Sequence, residues 1–250
     1  LIYYGPNKTA DLKAAVSKSH RVEAELKLTK DFTNYTFEKI KEDKVYFIDY
    51  EMVQSEIILL SQSKKYPQKI ALQAQFFNEY FGGNMGSIVF QELRESKALA
   101  YSVKSYYQTP GKLKQPGYTV SYIGTQSDKT ISAIDGMLDL LNTFIKEETS
   151  FENSKKSLTN SIETSRSIKS GILFKYLGAQ KLKHKTDINS KLYDYVLNSE
   201  IKDAKKFHKK HFSNQKRIIL VIGSKENLDL ESLKKYGKLK ELTLEDVFGY

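Results

Sequence analysis

The chain has 250 residues, of which 40% are hydrophobic and 12% aromatic, with four prolines and no cysteine. This composition is typical of a globular domain with a buried core, and it excludes a collagen-like or disordered chain, disulfides and thiolate metal ligands. The formal net charge is +10. Because the lysines are spread along the chain without a recognition motif, nucleic-acid binding is not expected. No apolar run approaches the ~20 residues that span a bilayer, so no transmembrane segment is predicted.

The chain begins without a methionine or a signal peptide, which indicates a piece of a longer protein. Residues 1–4 are predicted to form a short strand, and a helix is predicted after Thr9. The stretch from Ser19 to Asp43 is polar, charged and weakly patterned, so it is interpreted as a linker. A domain boundary is therefore placed here, with residues 1–30 on one side and residues 31–250 on the other.

Two strands are predicted next, around residues 44–50 and 55–62. The second contains a continuous apolar run and is expected to lie in the centre of a sheet. A helix is predicted over residues 70–80, where apolar side chains recur at helical spacing. Gly82 and Gly83 follow, and they are expected to end this helix in a left-handed conformation.

The rest of the chain is predicted to be mostly helical. Residues 101–107 and 117–124 are predicted to form a hairpin, because turn residues lie between them. A final strand is predicted over residues 217–222, followed by a last helix and a tail. Further helices are predicted over residues 88–96, 131–145, 151–168, 172–184, 187–196 and 201–212. Strands and helices do not alternate singly, so we expect an α+β fold with helices on one face of a mostly antiparallel sheet.

A hydrolytic zinc site normally needs histidine ligands, so the histidines of the chain show whether such a site is possible. His208 and His211 are three residues apart on a predicted helix, but only lysines lie between them. The H-E-x-x-H motif and its inverse, H-x-x-E-H, are both absent from the sequence. No metal ligand and no catalytic residue is therefore assigned in this chain. The two histidines, like the basic clusters at residues 181–185 and 205–210, are interpreted as parts of solvated helix faces.

The most informative stretch runs from Asn78 to Val103 and reads NEYFGGNMGSIVFQELRESKALAYSV. It resembles the second-half signature of the pitrilysin and insulin-degrading-enzyme family of zinc metallopeptidases, a helix followed by G-G-x-x-[SG]-S, F-x-E-L-R and G-L-A-Y-S-V. Gln54-Ser55 and the strand-plus-glycine at Ile218–Gly223 are similar to further family features. The resemblance implies a half-domain of the mitochondrial-processing-peptidase type, with residues 1–30 as the tail of a preceding half-domain plus linker.

The resemblance also implies a role for the chain. Family enzymes have two similar halves that close around a peptide, and zinc is bound by the inverted motif in the first half. The second half contributes an arginine and a tyrosine spaced as Arg94 and Tyr101, with Gly82 and Gly83 as supporting candidates. A guanidinium and a phenol both donate hydrogen bonds, so they suit a substrate oxygen that gains negative charge.

By the same resemblance, the partner is a zinc-binding half-domain of the same chain or of another subunit, the substrate is a peptide, and this chain alone is inactive. Family habit and the absence of cysteine favour a periplasmic location. Ala98 stands where the family usually has glycine, and Asn84 where a third glycine is common. These departures leave open a degenerate half that only supports the fold or binds peptide.

Two further alternatives stay open. The positive charge is also compatible with a basic module that binds an acidic partner. Taken singly, Arg94 is better explained as a helix-end arginine paired with Glu92 or Glu95, and Tyr101 as a strand tyrosine that packs one face of the sheet. Their occurrence together in this motif favours the functional role.

Overall fold

A computed structural model describes residues 2–20, 38–65, 70–112 and 115–249. Its strands are β1 (Lys44–Asp49), β2 (Gln54–Lys65), β3 (Ser102–Gln108), β4 (Pro116–Gln126), β5 (Arg217–Gly223) and β6 (Lys238–Leu242). In these residues the strands form one sheet in the order β3-β4-β2-β5-β1-β6. Strand β1 runs parallel to β5 and β6, and the other three pairings are antiparallel. The α+β class is confirmed, with a mixed sheet rather than a purely antiparallel one.

The helices of the described residues are α1 (Thr9–Ser19), α2 (Ile70–Phe81), α3 (Ile88–Phe90), α4 (Thr130–Asn142), α5 (Glu148–Thr164), α6 (Lys169–Lys181), α7 (Ile188–Asn198), α8 (Ile201–His211), α9 (Leu230–Leu233) and α10 (Leu244–Phe248). Helix α3 continues into a single π-helical turn, Gln91–Ser96. Within the described ranges, no helix combines the length and the apolar character that crossing a membrane would require.

Burial along β2 shows which face of the sheet carries the core. Ser55, Ile57, Leu59 and Ser61 are buried, whereas the side chains that alternate with them are partly exposed, Ile58 by 38%. The same alternation occurs in β3 and β5. Because successive strand residues point to opposite faces, one face of the sheet packs against the helices and the other is more open.

Helix α2 is the centre of the helical layer. The ring of Phe77 lies 5.1 Å from that of Phe81 and 4.9 Å from those of Phe207 and Phe212. The hydroxyl of Tyr80 donates a hydrogen bond to the Ile145 carbonyl at 2.8 Å. Burial of each such ring contributes roughly 2–3 kcal/mol. A helix that is apolar on most sides is stable in water only when it is covered in this way.

The sequence-based prediction misses β6. Lys238–Leu242 pairs in parallel with β1 at the edge of the sheet, where the sequence predicted only a tail after a last helix. Three of the five residues of its sequence, KLKEL, are charged, and none is buried, as is usual for an edge strand. The pairing partner lies almost 200 residues earlier in the chain, so no local pattern could indicate this strand.

The amino-terminal predictions have mixed outcomes. Ile2–Tyr4 is not a strand, contrary to prediction, because no partner strand pairs with it in the described part of the chain. The predicted helix exists as α1, and none of its side chains is buried. Most of the predicted linker, residues 21–37, lies outside the described residues. The division into residues 1–30 and 31–250 stays a prediction.

Candidate active-site face

Gly82 and Gly83 end helix α2 without adopting the predicted left-handed conformation. The Gly82 carbonyl accepts a hydrogen bond from the Ser105 backbone N–H of β3 at 3.1 Å. A Cβ at Gly82 would overlap the Ser105 carbonyl oxygen, and one at Gly83 would lie 2.8 Å from the Asn78 carbonyl. The prediction of a left-handed cap is therefore wrong. The glycines are needed because backbone meets backbone here, which leaves no room for a side chain.

The π-helical turn after α3 carries Arg94. Its backbone is widened, since the Lys97 N–H donates to the Glu92 carbonyl, five residues earlier, at 3.1 Å. Leu93 is fully buried on the inner side of this turn, so Arg94 on the neighbouring position is held at the surface. Single π turns inside helices occur often at functional sites, because they re-aim side chains that regular helix would point elsewhere.

Arg94 is not locked into a buried ion pair. Its side chain is 45% exposed, and its Nε lies 3.8 Å from the Glu95 carboxylate. Glu92 pairs with Lys97 instead. The Arg94 guanidinium lies 4.8 Å from the centre of the Phe90 ring, a cation–π contact that supports its orientation at a modest energetic gain. The guanidinium donors therefore remain available to a ligand.

Ala98 turns the chain from the π-helical turn toward β3. Its φ is +49°, in the left-handed region, and its carbonyl accepts a hydrogen bond from the Lys129 Nζ at 3.1 Å. This is the position at which the resemblance leads one to expect glycine, and the backbone gives the physical reason, because only glycine adopts this conformation without steric cost.

We predict that Ala98→Gly raises the free energy of unfolding by about 1 kcal/mol, because it relieves the left-handed strain of a residue that carries a Cβ. Denaturant unfolding of the two proteins side by side measures the difference. Ala179→Gly in helix α6, where glycine carries a propensity cost of about 1 kcal/mol, is the control and should lower stability. Loss of stability in Ala98→Gly as well would contradict the assignment of strain.

Tyr101 directly precedes β3 and is fixed to the end of β4. Its N–H donates to the Gly124 carbonyl at 2.8 Å, and the Thr125 hydroxyl donates to the Leu99 carbonyl at 2.7 Å. The side chain itself is 51% exposed. Rigid strand ends that support an exposed side chain are the usual way in which folds position functional groups.

Arg94 and Tyr101 line one pocket of about 380 Å³, together with Lys129 and Gln126. The structure thus brings together the two residues that the sequence motif singled out. Lys129 adds a third hydrogen-bond donor that sequence reasoning missed, since it lies on a different element and no motif includes it.

A second, larger pocket adjoins the first. It has a volume of about 780 Å³ and shares Gln126 with the Arg94–Tyr101 pocket. Glu51, Asp128 and Glu226, which follow the ends of β1, β4 and β5, lie on its wall. These three segments are distant in sequence and meet at this end of the sheet, so sequence reasoning had no signal for them.

His208 and His211 are buried, which corrects their interpretation as surface residues. The Nε2 of His208 lies 2.9 Å from the Leu140 carbonyl, and the Nδ1 of His211 lies 3.1 Å from the Ser63 hydroxyl. Burial lowers the pKa of both imidazoles, that of His211 to about 4. They share the inner stripe of α8 with Ala204 and Phe207, whereas the lysines between them point outward.

No cluster of three or more histidine, aspartate or glutamate side chains that could hold a metal occurs among the described residues.

Fold and site together define an α+β domain with exposed hydrogen-bond donors at one end of its sheet. The family model described as the peptidase M16 inactive domain matches residues 8–158, more than half of the chain. The chain therefore belongs to the family of M16 peptidase inactive domains, and the predicted resemblance is confirmed.

Sequence similarity to a curated protein supports the family assignment. The chain is 33% identical over 97 residues to the uncharacterized zinc protease YmxG of Bacillus subtilis (strain 168), a match that covers 36% of this chain and 23% of that protein.

Solved structures share the fold. The M16 peptidase inactive domain from Pseudomonas fluorescens aligns with a TM-score of 0.60 and 19% identity over 73% of this chain and 44% of its own. A protease from Helicobacter pylori aligns with a TM-score of 0.66 and 12% identity over 87% of this chain and 53% of its own. A conserved protein from Enterococcus faecalis V583 aligns with a TM-score of 0.64 and 17% identity over 89% of this chain and 51% of its own. The chain thus spans about half the length of these solved chains and about a quarter of the curated relative.

Proposed function

We propose that the chain is the accessory half of a zinc endopeptidase and supplies Arg94 and Tyr101 to an active site that a zinc-binding half completes. In this role the guanidinium and the phenol donate hydrogen bonds to the peptide carbonyl oxygen as water attacks it. Donors that are already in place where negative charge develops stabilise the transition state more than the ground state, and this difference is what accelerates the reaction.

The observation that carries the proposal is the shared pocket of Arg94 and Tyr101. A purely structural role for the pair would be supported by burial in the core or in tight ion pairs. Both side chains are instead about half exposed, and the nearest carboxylate to Arg94 lies at 3.8 Å, a weak contact. Lys129 adds a second cationic side chain to the lining of the same pocket.

Zinc belongs, in this proposal, to the partner half. The buried histidines of this chain are committed to hydrogen bonds in the core, and their neighbours on α8 are lysines that would repel a cation. In this proposal the chain binds and orients the peptide and stabilises the transition state, while the partner half holds the metal that activates water.

A reconstitution experiment tests whether this chain needs a separate zinc-binding half for hydrolysis. Alone, the chain should hydrolyse no peptide of a quenched fluorogenic library and should contain no stoichiometric zinc by metal analysis. Mixed or fused with its zinc-binding half, it should restore hydrolysis that a chelator abolishes. One zinc per isolated chain, or hydrolysis without the partner half, would contradict the proposal.

A further inference from the structure

Helix α6 carries large apolar side chains that are exposed to solvent. None of its residues is buried, although it contains Ile172, Leu173, Phe174, Tyr176 and Leu177. The exposed fraction is 74% for Phe174 and 57% for Tyr176, and Ile168 at the N-cap is 70% exposed. Phe174 and Tyr176 are two positions apart and so point about 200° apart around the helix. Apolar side chains thus leave α6 on opposite sides.

The packing around α6 is open on its inner side as well. Helices α5 and α7 pack directly against each other, whereas α6, which connects them, has only sparse contacts with other elements. A pocket of about 580 Å³ lies between α6 and residues 182–189, with Ile172, Leu182 and Ile188 among its lining. Helix α2, in contrast, has seven of its 12 residues buried in the core. Exposed apolar surface of this extent on a helix indicates a missing partner.

The charge of the segment specifies the chemistry of that partner. Residues 165–186 contain six cationic side chains and no acidic residue: Arg166, Lys169, Lys175, Lys181, Lys183 and Lys185. No carboxylate of the described part of the chain forms an ion pair with any of them. A covering surface that carries carboxylates would therefore be complementary, and a second copy of α6 would be repelled.

The distribution of the apolar side chains distinguishes a protein groove from a lipid surface. A helix that lies on a bilayer keeps its apolar residues on one side and its polar residues on the other. Phe174 and Tyr176 lie on opposite sides of α6, so a flat surface could cover only one of them. A groove can cover several sides of one helix at once.

We infer that α6 docks into an apolar groove, rimmed by carboxylates, on the remaining part of the same peptidase. The solved chains that share this fold are about twice as long as the aligned part, so a folded portion of similar size accompanies this domain in those proteins. The inference shares with the proposed function only the existence of a partner half. It does not depend on the roles of Arg94 and Tyr101.

Cysteine labelling of the complete peptidase tests the docking, and the absence of cysteine from this chain provides a clean background. Phe174→Cys and Ile168→Cys should react with a maleimide at least ~10-fold more slowly than Val53→Cys and Lys206→Cys, which occupy strongly exposed positions of the same domain. Each rate is corrected for labelling of the enzyme without the introduced cysteine. Equal rates at all four positions would overturn the inference.

The acidic rim is tested by charge reversal. Lys175→Glu combined with Phe174→Cys should increase the labelling rate of Cys at 174 at least ~3-fold, because repulsion loosens the docked helix, whereas Lys206→Glu in the same background should leave it unchanged. An unchanged rate with Lys175→Glu would overturn the assignment of an acidic partner surface.

Two further outcomes separate the alternatives. Co-sedimentation of the complete enzyme with phosphatidylglycerol vesicles that is lost in Phe174→Asp would assign α6 to a membrane and refute the inference. Slow labelling at position 174 together with normal turnover in Arg94→Ala would leave the docking intact and reject the proposed function. The two claims therefore fail independently.

Discussion

Replacement of Arg94 by alanine in the complete peptidase is expected to lower kcat about 100-fold while the zinc content stays unchanged. One well-placed donor to a developing oxyanion contributes about 3 kcal/mol to transition-state stabilisation, and each 1.36 kcal/mol corresponds to a factor of ten in rate. Among the described residues, the exposed Arg94 side chain forms only a weak ion pair and one ring contact, so its removal should cost little stability. Steady-state kinetics and metal analysis of the same preparation measure both quantities.

Tyr101→Phe tests the second donor with a smaller change, since it removes only the hydroxyl. The backbone N–H of Tyr101 still donates to Gly124 in this variant, so the turn before β3 is retained. We expect at least a ~10-fold loss of kcat. If the two donors contact the same oxygen, the double variant should lose less than the product of the single effects.

Two matched controls separate a local role from a general loss of charge or hydroxyl. Lys146→Ala removes an exposed cation away from the pocket, and Tyr4→Phe removes an exposed hydroxyl. Both should retain normal turnover. Unaltered turnover in Arg94→Ala would refute the proposed role, and the degenerate, purely structural half would then be the better account.

Gly82→Ala is expected to destabilise the domain by about 3 kcal/mol. The added Cβ would overlap the Ser105 carbonyl and lie 2.7 Å from the Ser105 nitrogen, both of them backbone atoms that cannot rotate away. Overpacking of this kind costs typically 1–3 kcal/mol and more when backbone must move. Denaturant unfolding measures the loss, and hydrogen exchange should show it first in β3, which contacts the end of α2.

Gly111→Ala is the matched control for Gly82→Ala, because a Cβ there has open space within 4 Å and the φ of Gly111 is not in the left-handed region. Its effect should lie within about 0.5 kcal/mol. Equal stability of the Gly82 and Gly111 variants would contradict the close approach of α2 to β3. Gly82 would then be interpreted as a residue that only ends helix α2.

Much of the local structure follows from the sequence by itself. The helix predicted over residues 70–80 is α2, Ile70–Phe81, because a run of apolar residues with helical spacing needs no distant partner to be recognised. The strands predicted around residues 44–50 and 217–222 also exist, and they too are recognised from a local pattern of apolar residues. The motif between Asn78 and Val103 also indicated the family, and the resemblance to that family singled out Arg94 and Tyr101.

Other features depend on contacts between distant segments. His208 and His211 were predicted at the surface because lysines surround them in sequence, but the inner stripe of α8 faces the aromatic core. The glycines at 82 and 83 suggested a left-handed cap, whereas the close approach of β3 explains them. Lys129, which follows β4, reaches the Ala98 carbonyl only because β4 pairs with β3, the strand that follows the π-helical turn. Contacts between segments that are distant in sequence cannot be predicted from a short-range sequence pattern.

The sequence by itself determined the family, the absence of the inverted zinc motif and the candidate pair Arg94 and Tyr101. Only the tertiary structure decided that the two side chains share one pocket, that the histidines belong to the core and that α6 is left uncovered. The physical reason is that periodicity and motif spacing are properties of a short segment. Burial and pocket formation, in contrast, depend on strands and helices that are brought together from across the chain.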